Sequence, residues 1–186
     1  MDKIIVKKSP PLRGNVRISG AKNSALPILA ASLLGTEDII LEDVPKLRDV
    51  EVICEVLSSL GAKVEFLDEG VIKINSSNIE NYETPYELMS KMRASFLVMG
   101  PLLTRVGKTK TSLPGGCAIG TRPIDLHLKG FKALGAEIDV DHGNIGAYAD
   151  KLVGSRIYLD FPSVGATENI MMAATMAEGE TIIDNV

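Results

Sequence analysis

Five short stretches of this chain carry side chains suited to chemistry. The first is Leu113-Pro114-Gly115-Gly116-Cys117-Ala118-Ile119-Gly120-Thr121-Arg122-Pro123. Its closely spaced glycines describe a loop, not a packed element. A cysteine at the centre of such a loop is odd as core packing. Lys108, Lys110 and Arg122 flank it, and a thiol near cations is a candidate for a lowered pKa and raised reactivity. The plainer reading is a small residue in a loop. The second stretch, Ser19-Gly20-Ala21-Lys22-Asn23-Ser24, is a small-residue turn opening a helix. Helix starts present unpaired N–H groups and a partial positive charge, so they receive anions, and Lys22 adds a full charge. The alternative is an ordinary helix start with a solvated lysine. Pro27 fits the first turn, where a missing N–H costs nothing.

The third stretch is Arg122-Pro123-Ile124-Asp125-Leu126-His127. It opens another helix, with Thr121 as the expected N-cap and Pro123 in the first turn. Arg122 suits a phosphate, and Asp125 or His127 suits a polar ligand. A lone inward-facing histidine also fits a purely structural role. The fourth, Ser163-Val164-Gly165-Ala166-Thr167, is an anion-receiving helix start by the same logic. The fifth is Arg93, at the start of an apolar run, either exposed or paired with an anionic ligand. Cys54 is the contrast to Cys117: it lies on an amphipathic run and reads as buried and inert.

An internal repeat must position these groups. Leu60-Gly61-Ala62-Lys63-Val64 recurs as Leu134-Gly135-Ala136-Glu137-Ile138, an offset of 74 that also lays Arg48-Asp49-Val50 over Arg122-Pro123-Ile124. Each copy reads as an outer helix ended by a left-handed glycine, then a strand. Val52, Val56, Leu57 and Leu60 have helical spacing, as do Leu126, Gly130, Phe131 and Leu134, with Gly130 a weak point. Small-residue-rich apolar helices recur after Gly20, at Arg93 and after Gly165, and suit burial. Strand-like runs lie between: Val16–Ile18, Ile39–Leu41, Val71–Ile74, Arg156–Leu159 and Thr181–Ile183. The unit is strand, buried helix, strand, outer helix, strand, strand, over about 70–75 residues. Two copies are complete and a third begins near Ile157. The sequence therefore predicts an α/β (α+β) layered domain that stops in mid-unit, as a fragment of a longer protein would. If the repeats are pseudo-symmetric, their helix starts converge on one end, where clustered donors suit a di-anionic or polyphosphate ligand.

Composition excludes other classes. Of 186 residues, 45% are hydrophobic and 24% charged, as in ordinary globular proteins. The net charge is −4, without the basic footprint of a nucleic-acid binder. Tryptophan is absent, which disfavours base-stacking platforms. The apolar run Ala25–Leu34 is too short to span a bilayer, and the N-terminus lacks the pattern of a signal peptide. Two cysteines are too few for a secreted disulfide scaffold; the expected compartment is the cytoplasm. Zinc spacing, the P-loop and the dinucleotide glycine fingerprint are all missing.

Taken together, Ser19–Pro27, Pro114–Gly120, Arg122–His127 and Ser163–Asn169 resemble the UDP-N-acetylglucosamine 1-carboxyvinyltransferase family, the enolpyruvyl transferases of the first committed step of peptidoglycan synthesis. The resemblance covers essentially the whole chain. It implies an inside-out α/β barrel, with buried helices covered by sheets, and a family protein more than twice as long, with its site between two similar domains. Residues 22–186 resemble the N-terminal domain, with two full repeats and a truncated third. Residues 1–21 would belong to, or hinge toward, the second domain.

The resemblance also implies roles. Phosphoenolpyruvate and the UDP-sugar would be substrates and the partners of this chain, together with the second domain; no cofactor, metal, nucleic acid or membrane is implied. Lys22, Asn23, Arg93 and Arg122 would bind phosphoenolpyruvate. Asn23, Arg93, Arg122, Pro123, Ile124, Asp125, Leu126, His127, Ser163, Val164 and Gly165 would line the UDP-sugar site. Cys117 would be the proton donor that also captures phosphoenolpyruvate as a covalent pyruvyl adduct and is alkylated by fosfomycin. Addition–elimination at an enol ether needs a proton delivered to the methylene carbon and a cradle for the phosphate, and a glycine loop can close over such a site. Phe161 stands where some relatives have a lysine. A second domain would supply an acid and an arginine, so 1–186 alone is expected to be inactive. Two rivals remain: the shikimate-pathway enolpyruvyl transferase, disfavoured by the Gly-Gly-Cys loop, and a non-catalytic module binding a nucleotide sugar or a protein.

Overall fold

The computed structural model describes residues 3–112, 124–141 and 143–186, apart from the side chains of Lys91, Arg93 and Ala94. Cys117, Arg122 and Pro123 lie outside the described residues, as does the side chain of Arg93.

The first unit begins with α1 (Lys22–Ala31), whose Leu26, Leu29 and Ala30 are buried one turn apart. A short 3-10 turn, Ser32–Leu34, ends it. Then come β1 (Asp38–Leu41), the outer helix α2 (Arg48–Ser59), β2 (Lys63–Asp68) and β3 (Val71–Asn75). The strands form an antiparallel sheet in the order β1-β3-β2. The second unit runs α3 (Tyr86–Lys91), a 3-10 helix Arg93–Val98, α4 (Met99–Val106), β4 (Lys108–Ser112), α5 (Asp125–Ala133), β5 (Glu137–Asp141) and β6 (Asn144–Tyr148). Its sheet has the equivalent order β4-β6-β5. The remainder is β7 (Arg156–Tyr158), α6 (Val164–Ala174) and β8 (Ile182–Asp184), with β7 and β8 parallel. Helices α1, α4 and α6 are the buried layer, and the sheets and outer helices cover them, as expected of an inside-out α/β barrel. Among the described residues no helix is long and apolar enough to cross a membrane.

The repeated Leu-Gly-Ala carries a shared device. Gly61 and Gly135 have φ of +108° and +96°. Ala62 N–H donates to Leu57 O and Ala136 N–H to Phe131 O, the six-to-one bond that closes a helix at a left-handed residue. Helices α2 and α5 therefore end at positions 74 apart, Ser59 and Ala133. Their starts do not match: α5 opens on Asp125, not at the expected Arg122, and its N-cap is Ile124.

Three further expectations need correction. Val16–Ile18 forms no strand; residues 3–20 hold no helix or strand, and Val16 and Ile18 are both 83% exposed. A three-residue apolar alternation has too little to bury unless a sheet edge takes it up. In the second unit the equivalent pairing exists, because Glu83 bridges Lys110 in parallel. Pro27 is not in the first turn: α1 starts at Lys22, so Pro27 lies inside it. Pro27 cannot donate to the Asn23 carbonyl, and Asn23 is exposed, so water can satisfy that group. Gly130 is no weak point. A Cβ there would stand 2.2 Å from Ile170 Cδ1, so glycine is what lets α5 approach α6.

Candidate functional site

Three parallel buried helices bring their starts to one end. Arg105, in the last turn of α4, donates from Nη1 to Leu33 O at 2.6 Å and to Gly35 O at 2.9 Å, so α1 and α4 finish together. Roughly equal runs of chain lead back from there to Lys22 and to Arg93. Phe96, in the second half of the 3-10 helix, touches both His127, at a centroid distance of 5.0 Å, and, through its carbonyl, Asn169 of α6. The His127 ring in turn lies beside Gly165, in the first turn of α6. The start of α6 is therefore level with Arg93–Phe96.

At α1, Lys22 Nζ sits 2.7 Å from Asp49 Oδ2, in the first turn of α2. Both side chains are partly exposed. The N-cap of α1 is Ala21, which offers no side-chain acceptor, so the first-turn N–H groups beside Lys22 and Asn23 are not capped by a side chain of their own turn. Gly20 is required here, because a Cβ would lie 2.0 Å from Asp43 O. At α6, Ser163 is the N-cap and its Oγ accepts from Ala166 N–H at 3.4 Å. Val164 is exposed and Gly165 half-buried. Phe161, just before, is exposed. Lys129 of α5 reaches across to Asp160 at 2.7 Å, tying α5 to the segment before α6.

The α5 residues divide by face. Asp125 is exposed in the first turn, where a carboxylate complements the helix dipole. Leu126 is buried in the core. His127 is half-buried; its Nδ1 lies 3.0 Å from Asn169 Nδ2 and its ring packs edge-on to Phe96. Glu168, near the start of α6, has its carboxyl pushed above the usual range by partial burial.

Two expected neighbours of the glycine loop are engaged elsewhere. Lys110 pairs with Glu83 at 2.9 Å, which raises its pKa, and Lys108 lies 4.1 Å above the Tyr82 ring. A groove of about 910 Å³ between α2 and the β2–β3 hairpin is lined by none of the expected site residues. Cys54 lies along it, and burial pushes its thiol up to about 11. That fits an inert cysteine.

Sequence reasoning missed Asp49, Gly100 and Asn169. A lone asparagine in the apolar run Asn169-Ile170-Met171-Met172-Ala173 was the available signal for the last. It is fully buried and bridges two units.

Comparison with known proteins adds to this geometry. The family model described as EPSP synthase (3-phosphoshikimate 1-carboxyvinyltransferase) matches residues 6–186. A UDP-N-acetylglucosamine 1-carboxyvinyltransferase of Finegoldia magna is 70% identical over 186 residues, all of this chain and 44% of the relative. UDP-N-acetylglucosamine 1-carboxyvinyltransferase 1 of Caldanaerobacter subterraneus subsp. tengcongensis is 62% identical over 183 residues, 98% of this chain and 44% of the relative. The chain thus spans a little under half the length of these relatives. Among solved structures, the enolpyruvyl transferase NikO from Streptomyces tendae is similar with a TM-score of 0.77 at 20% identity, over 92% of this chain and 40% of that one. An EPSP synthase from Acinetobacter baumannii is similar with a TM-score of 0.70 at 16% identity, over 91% of this chain and 40% of that one. These two likenesses carry the fold.

Proposed function

The chain belongs to the EPSP synthase (3-phosphoshikimate 1-carboxyvinyltransferase) family, and on that premise we propose that it forms the part of a UDP-N-acetylglucosamine 1-carboxyvinyltransferase that receives both substrates. The reading is carried by the 70% identity along the entire chain to a relative of that name. The family is described by a phosphoshikimate acceptor instead. Against that stand the nucleotide-sugar names of the relatives at 70% and 62% identity and the Gly-Gly-Cys loop.

In this reaction the 3-hydroxyl oxygen of the sugar adds to C2 of phosphoenolpyruvate while C3 gains a proton. Loss of a proton from the new methyl group and departure of phosphate restore the double bond, now on the sugar ether. Lys22 and Arg122 hold the phosphoenolpyruvate anion, with Arg93 assisting. The uncapped start of α1 adds N–H donors to the same cradle. Asn23 contacts the sugar. The Arg122–His127 and Ser163–Gly165 segments line the nucleotide-sugar site. Cys117 delivers the proton to C3, and its thiol adds reversibly to C2 of phosphoenolpyruvate. No separate cofactor takes part.

The relatives' additional length supplies the base for the sugar hydroxyl and a further arginine. Residues 1–21 pack with that part, and 22–186 form a domain of two full repeats and a truncated third. The isolated chain binds without turning over, in the cytoplasm, as part of peptidoglycan synthesis. Turnover by purified 1–186, free of host enzyme, overturns the last point about activity.

The test is intact mass after fosfomycin treatment, with and without UDP-N-acetylglucosamine, followed by peptide mapping. The expected result is one adduct, on Cys117 and not on Cys54, formed faster with the sugar. Labelling of Cys54 in place of Cys117, or no labelling even in the longer relative-length protein, overturns the role given to Cys117.

A further inference from the structure

The carboxamide of Asn169 has one possible orientation. The backbone N–H of Gly100 can only donate, so the atom it meets at 2.8 Å is Oδ1. The carbonyl of Phe96 can only accept, so the atom 3.1 Å away is Nδ2. Both neighbours fix the same flip. Asn169 thereby takes the place of a backbone bond. In a regular α-helix Gly100 N–H would donate to Phe96 O; here the two are bridged by the side chain of another helix, and Phe96 O receives Met99 N–H in 3-10 fashion. Pro101 cannot donate to Leu97 either. This accounts for the 3-10 helix at Arg93–Val98, where an uninterrupted buried helix was expected.

The second hydrogen of Nδ2 faces His127. Nδ2 stands 3.0 Å from Nδ1 of the ring, and a protonated Nδ1 would set two donors against each other. Nδ1 must accept, and a neutral imidazole that accepts at Nδ1 carries its proton on Nε2. The ring also packs edge-on against Phe96, at an interplanar angle of 85°. Its Cε1–Nε2 edge runs alongside Gly165: a Cβ there would be 3.8 Å from Cε1 and 4.0 Å from Nε2.

We propose that Asn169 is a positioning residue that holds neutral His127 as its Nε2–H tautomer, so that a hydrogen-bond donor faces an oxygen of the nucleotide sugar beside the first turn of α6. The role of the donor rests on the nucleotide-sugar reading given above; the tautomer does not. Nucleotide sugars present acceptors at the uracil carbonyls and the diphosphate oxygens. An Nε2–H completes a hydrogen bond to any of them, whereas a bare Nε2 would repel them.

The test is imidazole nitrogen NMR on the labelled full chain carrying His142→Gln, which leaves His127 as the single imidazole. At a pH where the ring is neutral, the expected spectrum has Nδ1 unprotonated and the proton on Nε2. A protonated Nδ1 overturns the proposal, and needs no variant to do so. Asn169→Asp offers His127 only acceptors, so the proton should move to Nδ1; retention of Nε2–H in a folded Asn169→Asp overturns the assignment to Asn169. Asn169→Ala should release the ring to a mixture of tautomers. Titration with UDP-N-acetylglucosamine should shift the Nε2–H signal together with the Gly165 amide. Asn169→Asp should weaken that binding roughly tenfold, the worth of about one hydrogen bond. If Gly165 moves and Nε2–H does not, the donor role is overturned. If neither moves at any sugar concentration, the nucleotide-sugar reading fails while the tautomer result stands on its own.

Discussion

At the starts of α1 and α2, Lys22 and Asp49 meet as a charged pair that water reaches from both sides. Between the start of α5 and the middle of α6, His127 and Asn169 meet through an imidazole–amide contact, and Asn169 is fully buried. The two units share one sheet design and one helix ending, yet they fasten their helix starts differently. In the repeat alignment the position of Asp49 is taken by Pro123, which carries no charge. A solvated ion pair is worth little, so its lysine can leave for an anionic ligand at small cost. A buried amide network has no water to fall back on, so it fixes geometry. The mobile charge and the fixed neutral donor suit the two proposed substrates, a small anion and a larger nucleotide sugar.

Substitutions should separate the two designs in order of size. Gly100→Ala should have the largest effect, because its Cβ would stand 2.3 Å from Asn169 O, a backbone atom that cannot swing away. A loss of about 3 kcal/mol in urea unfolding is expected. Gly130→Ala, whose clash is with the tip of Ile170, should cost less; equal costs would mean that α4 and α6 can slide apart freely. Asn169→Ala strips Gly100 N–H and Phe96 O of a partner and should cost about 2 kcal/mol. Asp49→Asn should cost under about 1 kcal/mol, and the difference from the wild type should shrink as salt is raised. A salt-insensitive cost as large as that of Asn169→Ala would erase the contrast drawn here.

Acid and base limbs give the smallest signals. Folding lowers the pKa of Asp38, first through its hydrogen bond to Lys73 and then through that to Asn75. Its contribution is present above the unfolded value of 3.8 and is lost as pH falls through the lower folded value. Asp38→Asn should therefore destabilise at neutral pH and converge with the wild type in acid. Cys54 works in the opposite direction. Its pKa rises from 9.0 to about 11 on folding, so the unfolded chain ionises first and stability falls as pH climbs through that interval. Cys54→Ala should flatten this limb in denaturant titrations run across it. The same burial predicts negligible alkylation of Cys54 at neutral pH until the chain unfolds.

The repeat was legible in the sequence because its signals are local. Gly61 and Gly135 mark helix ends through backbone conformation alone, and the outer helices announce themselves by apolar spacing. The candidate site was legible as a set of helix starts, each with its own small residues and polar groups. Other features were not legible, and their causes are non-local. Val16-Arg17-Ile18 alternates like a strand, but alternation does not supply a partner. Pro27 looked like a first-turn residue, and the helix began earlier. Gly130 looked like a propensity defect, and proved to be where two helices touch. Asp49 and Asn169 showed nothing in their own segments of the partners they meet 27 and 73 residues away.

The sequence by itself determined the periodic architecture, the ends of the outer helices and the kinds of residue gathered at the helix starts. These depend on interactions within a few residues of chain, which one sequence records. The tertiary structure alone decided that Lys22 is held by a carboxylate from the neighbouring helix, that Leu126 turns into the core, and that a buried asparagine interrupts the ladder of one helix while dictating the protonation of a histidine on another. Each of those depends on which buried donor meets which buried acceptor across space. That pairing is set by how the units pack, and no spacing along the chain encodes it.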